Sequence, residues 1–191
     1  AVDLLKQQMQ TVARDIHMDA AKIGMLGTPE VTEAVAAFVA GLDCPLVIDP
    51  VMVAKSGDRL LHADAIASLC DVLIPKATLM TPNLPEAADL LGLAEADDRE
   101  AMQVQAAALL QLGSRAVLLK GGHLSTEDSP DLLVFDHQST WFENERIQTA
   151  NTHGTGCTLS SALASYLGQG FSIPKAVLAA KTYISGAIAA S

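Results

Sequence analysis

The chain has 191 residues, half of them hydrophobic and 18% charged, enough for one globular domain with a sizeable core. Its 22 acidic and 12 basic side chains leave a net charge of −10, which argues against broad binding to nucleic acid or an anionic membrane but not against a local anion site. No apolar run approaches the ~20 residues of a membrane span and no signal peptide is visible; Cys44, Cys70 and Cys157 are too far apart for a disulfide framework or zinc site, so a reducing cytoplasm is the expected setting.

Residues 3–15 read as a helix and 21–26 as a buried strand ending at Gly27. Thr28-Pro29-Glu30 is a helix start: a capping hydroxyl, a proline where no N–H is needed, then an acid near the positive end of the dipole. That helix is expected to run to about Ala40 and stop at Gly41. Residues 46–48 predict a short buried strand ending in Asp49-Pro50, followed by a polar loop at 54–58 and a helix over 62–73 with Pro75 beyond it. A strand is expected at 78–80, and 82–86 turn into a helix ending near Gly92. Residues 97–100 open an Ala- and Gln-rich helix to Leu112. Residues 116–119 form a strong apolar strand leading into Lys120-Gly121-Gly122-His123. Segments 132–135 and 141–147 read as an antiparallel strand pair, and helices over 157–167 and 174–189 close the chain.

Strand and helix alternate, and the strands are continuous apolar runs. This predicts an α/β fold, a three-layer α/β/α sandwich whose largely parallel sheet is covered on both faces. Ligands in such folds lie beyond the carboxyl ends of the strands. Asp49, the segment 81–86 and the segment 120–123 all fall there. There is no internal repeat and no linker.

The run from Asn151 to Ser160 is the most informative stretch. Gly154, Thr155 and Gly156 precede Cys157, where an apolar helix is expected to begin. The first N–H groups of a helix lack intrahelical partners and carry the positive end of its dipole. Glycines let a ligand approach, so the segment suits an anion hole for a phosphoryl group in transfer. A thiol in that field is favoured as a thiolate and can act as base or nucleophile. The alternative is a tight turn followed by a small buried cysteine.

Transfer of a phosphoryl group from a nucleotide needs a metal bridging phosphates, a cation, a group near the acceptor hydroxyl and backbone donors around the moving group. Asp49, after a buried strand, suits Mg²⁺ held through water, or is a turn aspartate. Glu86, three residues after Asn83, suits the same cluster or is a capping carboxylate. Lys120, at a strand end beside two glycines, suits a phosphate or solvent. His123 and His153 each suit a phosphate contact or a loop. Cys157 lies where the acceptor hydroxyl must approach and can accept its proton.

Six ordered motifs extend this reading: Lys22-Ile23-Gly24-Met25-Leu26, Asp49-Pro50-Val51-Met52, Lys55-Ser56-Gly57-Asp58, Thr81-Pro82-Asn83-Leu84-Pro85-Glu86-Ala87, Leu119-Lys120-Gly121-Gly122-His123 and Asn151-Thr152-His153-Gly154-Thr155-Gly156-Cys157-Thr158. Together the chain resembles the hydroxymethylpyrimidine/phosphomethylpyrimidine kinases of thiamine biosynthesis, in the ribokinase-like superfamily. The resemblance implies phosphorylation of 4-amino-5-hydroxymethyl-2-methylpyrimidine by ATP and Mg²⁺, then of its monophosphate to the diphosphate. It implies Cys157 as catalytic base, an anion hole at Gly154, Thr155 and Gly156, and metal service by Asp49 and Glu86. It places Lys120, Thr152, His153 and Asn83 toward ATP, Met25 and Val51 in the pyrimidine pocket with Cys157, and residues 55–58 in a mobile flap. The family's opening strand with its Gly-rich segment and its Gly/His-rich tail have no counterpart here, so residues 1–191 are expected to form one kinase domain lacking them. The competing readings are a pyridoxal kinase of the same subfamily and a non-catalytic binding domain on the same fold. A homodimer is compatible with the apolar helices.

Overall fold

Apolar side chains alternate along strands that are buried on both sides, and this alternation decides the layers. In the computed structural model, residues 1–52, 63–124, 128–143, 146–147, 149 and 153–190 are described; the Lys55-Ser56-Gly57-Asp58 segment, His62, Asn151 and Thr152 lie outside them. The elements run α1 (Val2–Asp15), β1 (Ala21–Ile23), α2 (Pro29–Val39), β2 (Leu46–Ile48), α3 (Ala63–Ser68), β3 (Leu79–Met80), α4 (Leu84–Leu91), α5 (Arg99–Leu110), β4 (Ala116–Lys120), β5 (Asp131–Phe135), β6 (Gln138–Phe142), α6 (Thr155–Gly168) and α7 (Ile173–Ala189). The sheet order is β1-β2-β3-β4-β5-β6; β1 to β4 are parallel, and β5 and β6 add antiparallel strands.

Ile48, Met80, Val117, Leu119 and Leu132 face α2 to α5, where Val35, Leu84, Met102 and Leu109 complete one core. Val47, Leu79, Leu118 and Leu133 face α6 and α7, meeting Leu159, Leu163, Ile173 and Val177. The expected α/β/α layering is therefore present. Helix α1 buries no residue and joins the first core only through Leu5 and Met9. Among the described residues no helix is long and apolar enough to cross a membrane.

The structure corrects four boundaries. Strand β1 ends at Ile23, short of residue 26, because Asp49 N–H takes Ile23 O at 2.9 Å and Pro50 then withholds a donor. The helix expected over 62–73 is α3 alone, followed by a π-helical turn at Leu69–Leu73 and a 3₁₀ turn at Ile74–Lys76. Pro75 cannot continue an α-helix, and the widened turn absorbs it. Strand β6 occupies Gln138–Phe142 and not 141–147. The reason is a two-residue hairpin at Asp136-His137, with φ of 52° and 60°, which forces Phe135 opposite Gln138. Finally, α6 begins at Thr155, two residues before Cys157.

Candidate active site

Three strand ends step past one another at the carboxyl edge of the sheet. Asp49 N–H donates to Ile23 O, Thr81 N–H to Ile48 O and Lys120 N–H to Pro82 O, each at 2.9 Å. This ladder sets Asp49, Thr81 and Lys120 side by side. Asp49 is 1% exposed. Its Oδ1 accepts from Lys120 Nζ at 3.0 Å and Thr81 Oγ1 at 3.1 Å. Its Oδ2 faces Ser160 Oγ at 3.2 Å and Lys22 Nζ at 3.7 Å. A buried carboxylate is tolerable only with such partners.

Glu86 opens α4 in a capping box: Asn83 N–H donates to Glu86 Oε2 and Glu86 N–H to Asn83 Oδ1, both at 2.8 Å. The capping reading of Glu86 therefore holds, and the same Oε2 lies 4.0 Å from Lys120 Nζ. Burial pushes the Glu86 carboxyl up to about 7; neighbouring Asp49 adds to the rise, while Lys120 and the Asn83 hydrogen bond oppose it. Asn83 sits beside Lys120 through a backbone bridge.

Helix α6 enters this edge with Gly154 as its N-cap at φ 78°, a left-handed conformation that favours glycine, and with no side-chain cap. The first helical acceptor is Gly154 O, taken by Thr158 N–H at 2.9 Å, so the N–H groups ahead of Thr158 have no intrahelical acceptor. A Cβ built on Gly156 would lie 3.5 Å from Lys120 Nζ, so that ammonium rests against the first turn of α6. Cys157 is the third helical residue and is exposed. Ser160 is fully buried one turn on; its single hydroxyl hydrogen has three acceptors in reach, Asp49 Oδ2, Gly156 O at 3.0 Å and Cys157 O at 3.1 Å.

The structure thus brings together Asp49, Glu86, Asn83, Lys120 and the Gly154–Cys157 turn. His153 is exposed just ahead of α6, and His123 lies on the turn after β4. Val51 lines a small cavity with Gly24, Pro50 and Leu69. Met25 is 53% exposed and does not line that cavity. Thr152 falls outside the described residues. Sequence reasoning did not single out Lys22, Thr81 or Ser160. Lys22 had a signal, a cation inside an otherwise apolar strand, and Thr81 had its place at the head of segment 81–86, beyond a strand end; Ser160 had none, being an ordinary hydroxyl residue within a helix.

The donor set suits a hydrated hard cation. Asp49 and Glu86 offer carboxylate oxygens with Lys120 between them, and no group of three or more metal-binding side chains occurs among the described residues. Two carboxylates are too few for an all-protein cage but fit Mg²⁺ that keeps waters and shares phosphate oxygens.

A three-layer α/β/α domain with a glycine-rich, uncapped helix start facing a lysine and two carboxylates at the carboxyl edge of its sheet is a ribokinase-like fold, the scaffold of small-molecule kinases. The family model described as phosphomethylpyrimidine kinase matches residues 1–191, and the chain belongs to that family of kinases. It is 46% identical over 189 residues to the hydroxymethylpyrimidine/phosphomethylpyrimidine kinase of Streptomyces coelicolor, covering 99% of this chain and 70% of that one. The crystal structure of phosphomethylpyrimidine kinase from Clostridium difficile superposes with a TM-score of 0.85 at 38% identity, over 98% of this chain and 77% of that one. The pyridoxal kinase of Staphylococcus aureus in complex with AMP-PCP superposes with a TM-score of 0.91 at 35% identity, over 98% and 68%.

Proposed function

We propose that the chain phosphorylates 4-amino-5-hydroxymethyl-2-methylpyrimidine and then its monophosphate, with ATP as donor and Mg²⁺ as cofactor, in thiamine biosynthesis in the cytoplasm. The observation that carries this reading is the meeting of the α6 start with Lys120 and the Asp49–Glu86 pair at one sheet edge. The family supports it, and sequence identity to the pyrimidine kinase exceeds that to the pyridoxal kinase. The better superposition on the pyridoxal kinase reflects a shared scaffold, which does not itself choose a substrate.

Each residue then has a role. The backbone N–H groups of Gly154, Thr155, Gly156 and Cys157 hold the moving phosphoryl group where its charge develops. Lys120, resting against Gly156 and bonded to Asp49, offsets that charge. Asp49 and Glu86 would hold Mg²⁺, which would supply charge neutralisation on the nucleotide phosphates. Asn83 fixes Glu86 through the capping box. His153, and Thr152 from outside the described residues, are assigned to the ATP phosphates. Exposed Cys157 takes the proton of the acceptor hydroxyl. Val51 and Met25 border the ring of the acceptor. A homodimer is part of this reading.

The test is ATP consumption by the whole protein with the pyrimidine, its monophosphate and pyridoxal. Turnover of both pyrimidines above pyridoxal is expected, and Cys157→Ala should slow phosphorylation of the alcohol by about 10²–10⁴. Preference for pyridoxal would move the substrate assignment, and turnover of none of the three would overturn the catalytic reading.

A further inference from the structure

Lys22 is a charged side chain in the middle of β1, and Asp49 has little need of it. Asp49 already takes three closer donors, Lys120, Thr81 and Ser160, at 3.0 to 3.2 Å. At 3.7 Å Lys22 Nζ is beyond hydrogen-bond distance of Asp49 Oδ2, and among the described residues it donates no hydrogen bond. Its side chain is only 18% exposed, so water does not fully replace the missing partners. The ammonium occupies space that a side chain at position 24 would fill: a Cβ on Gly24 would lie 2.9 Å from Nζ. Lys22 and Lys120 address opposite oxygens of one carboxylate. Lys120 lies on the Glu86 side, while Lys22 lies beside Gly24, which borders the small cavity with Val51. Lys120 is shared between Asp49 and Glu86, whereas Lys22 has only the 3.7 Å approach to Asp49, so Lys22 is the less tightly held cation and the one open to an anionic group on the Gly24 side.

Resting on the kinase reading above, we propose that Lys22 binds the phosphate of the acceptor in the second transfer and so sets the balance between the two steps. The two transfers differ in what they demand. In the first, the hydroxyl oxygen bonds to the γ-phosphorus, the bond from γ-phosphorus to the β–γ bridging oxygen breaks, ADP leaves and one proton must be removed. In the second, an oxygen of a dianionic phosphate attacks the same phosphorus with ADP leaving again. No proton is released, but a dianion must approach a tetra-anion. The first step therefore leans on Cys157 and the second on an additional cation. A lysine ammonium suits this as a compact point charge beside a phosphate.

The experiment compares wild type, Lys22→Met and Lys22→Arg in the whole protein, with steady-state kinetics on the alcohol and on the monophosphate and a melting midpoint for each variant. K22M should lower kcat/KM for the monophosphate at least tenfold more than for the alcohol, mainly through KM, and K22R should restore much of that difference. Gly24→Ala, which displaces Nζ and keeps its charge, provides the same selective loss if K22M does not fold. Equal losses on both acceptors would mean that Lys22 only positions Asp49, and would overturn the proposal. So would an unchanged ratio. A wild type that phosphorylates neither acceptor overturns the kinase reading and this proposal with it; one that phosphorylates both while K22M and G24A keep the wild-type ratio overturns this proposal alone.

Discussion

Ser160 Oγ, one turn into α6, lies 3.2 Å from Asp49 Oδ2, joining the helix that carries the anion hole to a strand end 111 residues earlier in the chain. The contact fixes how deep α6 sits on the sheet edge. Ser160→Ala removes one donor from a carboxylate that is 1% exposed and keeps two others, Thr81 and Lys120. We expect a loss of about 1 kcal/mol in denaturant unfolding, since hydrogen bonds to charged groups contribute roughly 1.5–3 kcal/mol and the remaining donors compensate in part. The kcat should fall with little change in KM for ATP, because the turn moves relative to Lys120.

Glu86 should make stability fall with rising pH. Its folded pKa of about 7 lies above the ordinary 4.5, chiefly through burial. Between these values the folded protein holds a proton that the unfolded chain has released, so the contribution is complete below pH 4.5 and is lost as pH rises through 7. The shift corresponds to ~3 kcal/mol at most. Glu86→Gln, which retains the capping acceptor, should melt above wild type at pH 8 and close to it at pH 5. Thermal melts at the two pH values check this. If the carboxylate form serves the metal, kcat/KM for ATP should rise through a pKa near 7 in wild type and lose that limb in E86Q.

Gly154 is the N-cap of α6 at φ 78°. Nothing lies within 4 Å of a Cβ placed there, so a substitution meets backbone strain and not a clash. Gly154→Ala should cost about 1–2 kcal/mol, the penalty of a left-handed L-residue. If the turn relieves that strain by rotating, the N–H groups leave their aim. The mutant should then lose kcat by about 10²–10³, the usual cost of one anion-hole donor. A melt together with kcat separates strain from misalignment.

Gly121 fails for the opposite reason. A Cβ there would come 2.0 Å from the backbone oxygen of Pro130, which cannot swing away. Its N–H is held by Asp131 Oδ1 at 3.0 Å, while Asp131 Oδ2 pairs with buried Lys181 on α7. Gly121→Ala should therefore cost about 3 kcal/mol, the upper range for overpacking a tight site. Because Lys120 precedes it, KM for ATP should rise as well. An unfolding curve and ATP titration would show both, or neither if the hairpin yields.

Local chemistry made much of this legible in advance. Thr28-Pro29-Glu30 stated a helix start, and the Thr28 hydroxyl does accept from Val31 N–H at 3.4 Å. The pair Asn83 and Glu86, at capping-box spacing, stated another. The hairpin was harder, because Asp136-His137 reaches positive φ at both residues without the glycine that signals such a turn. The break at Leu69–Leu73 was hidden for a related reason. Pro75 announced an end to the helix, but only packing decides whether the preceding turn stops or widens.

What the sequence determined by itself is what depends on neighbours within a few residues: strands as continuous apolar runs, capped helix starts, a glycine-rich turn before Cys157, and the motifs that carry the family. What the tertiary structure decided is which of these meet. Ser160 looked like any helical serine and Lys22 like an oddity of a buried strand until parallel pairing set β1 beside β2 and α6 crossed their ends. A buried carboxylate must gather partners from wherever the chain can supply them: hydrogen-bond donors from residues 81, 120 and 160, and the more distant ammonium of Lys22. No local pattern spans such separations, because the requirement is set by the loss of water around Asp49, which exists only once the layers have closed.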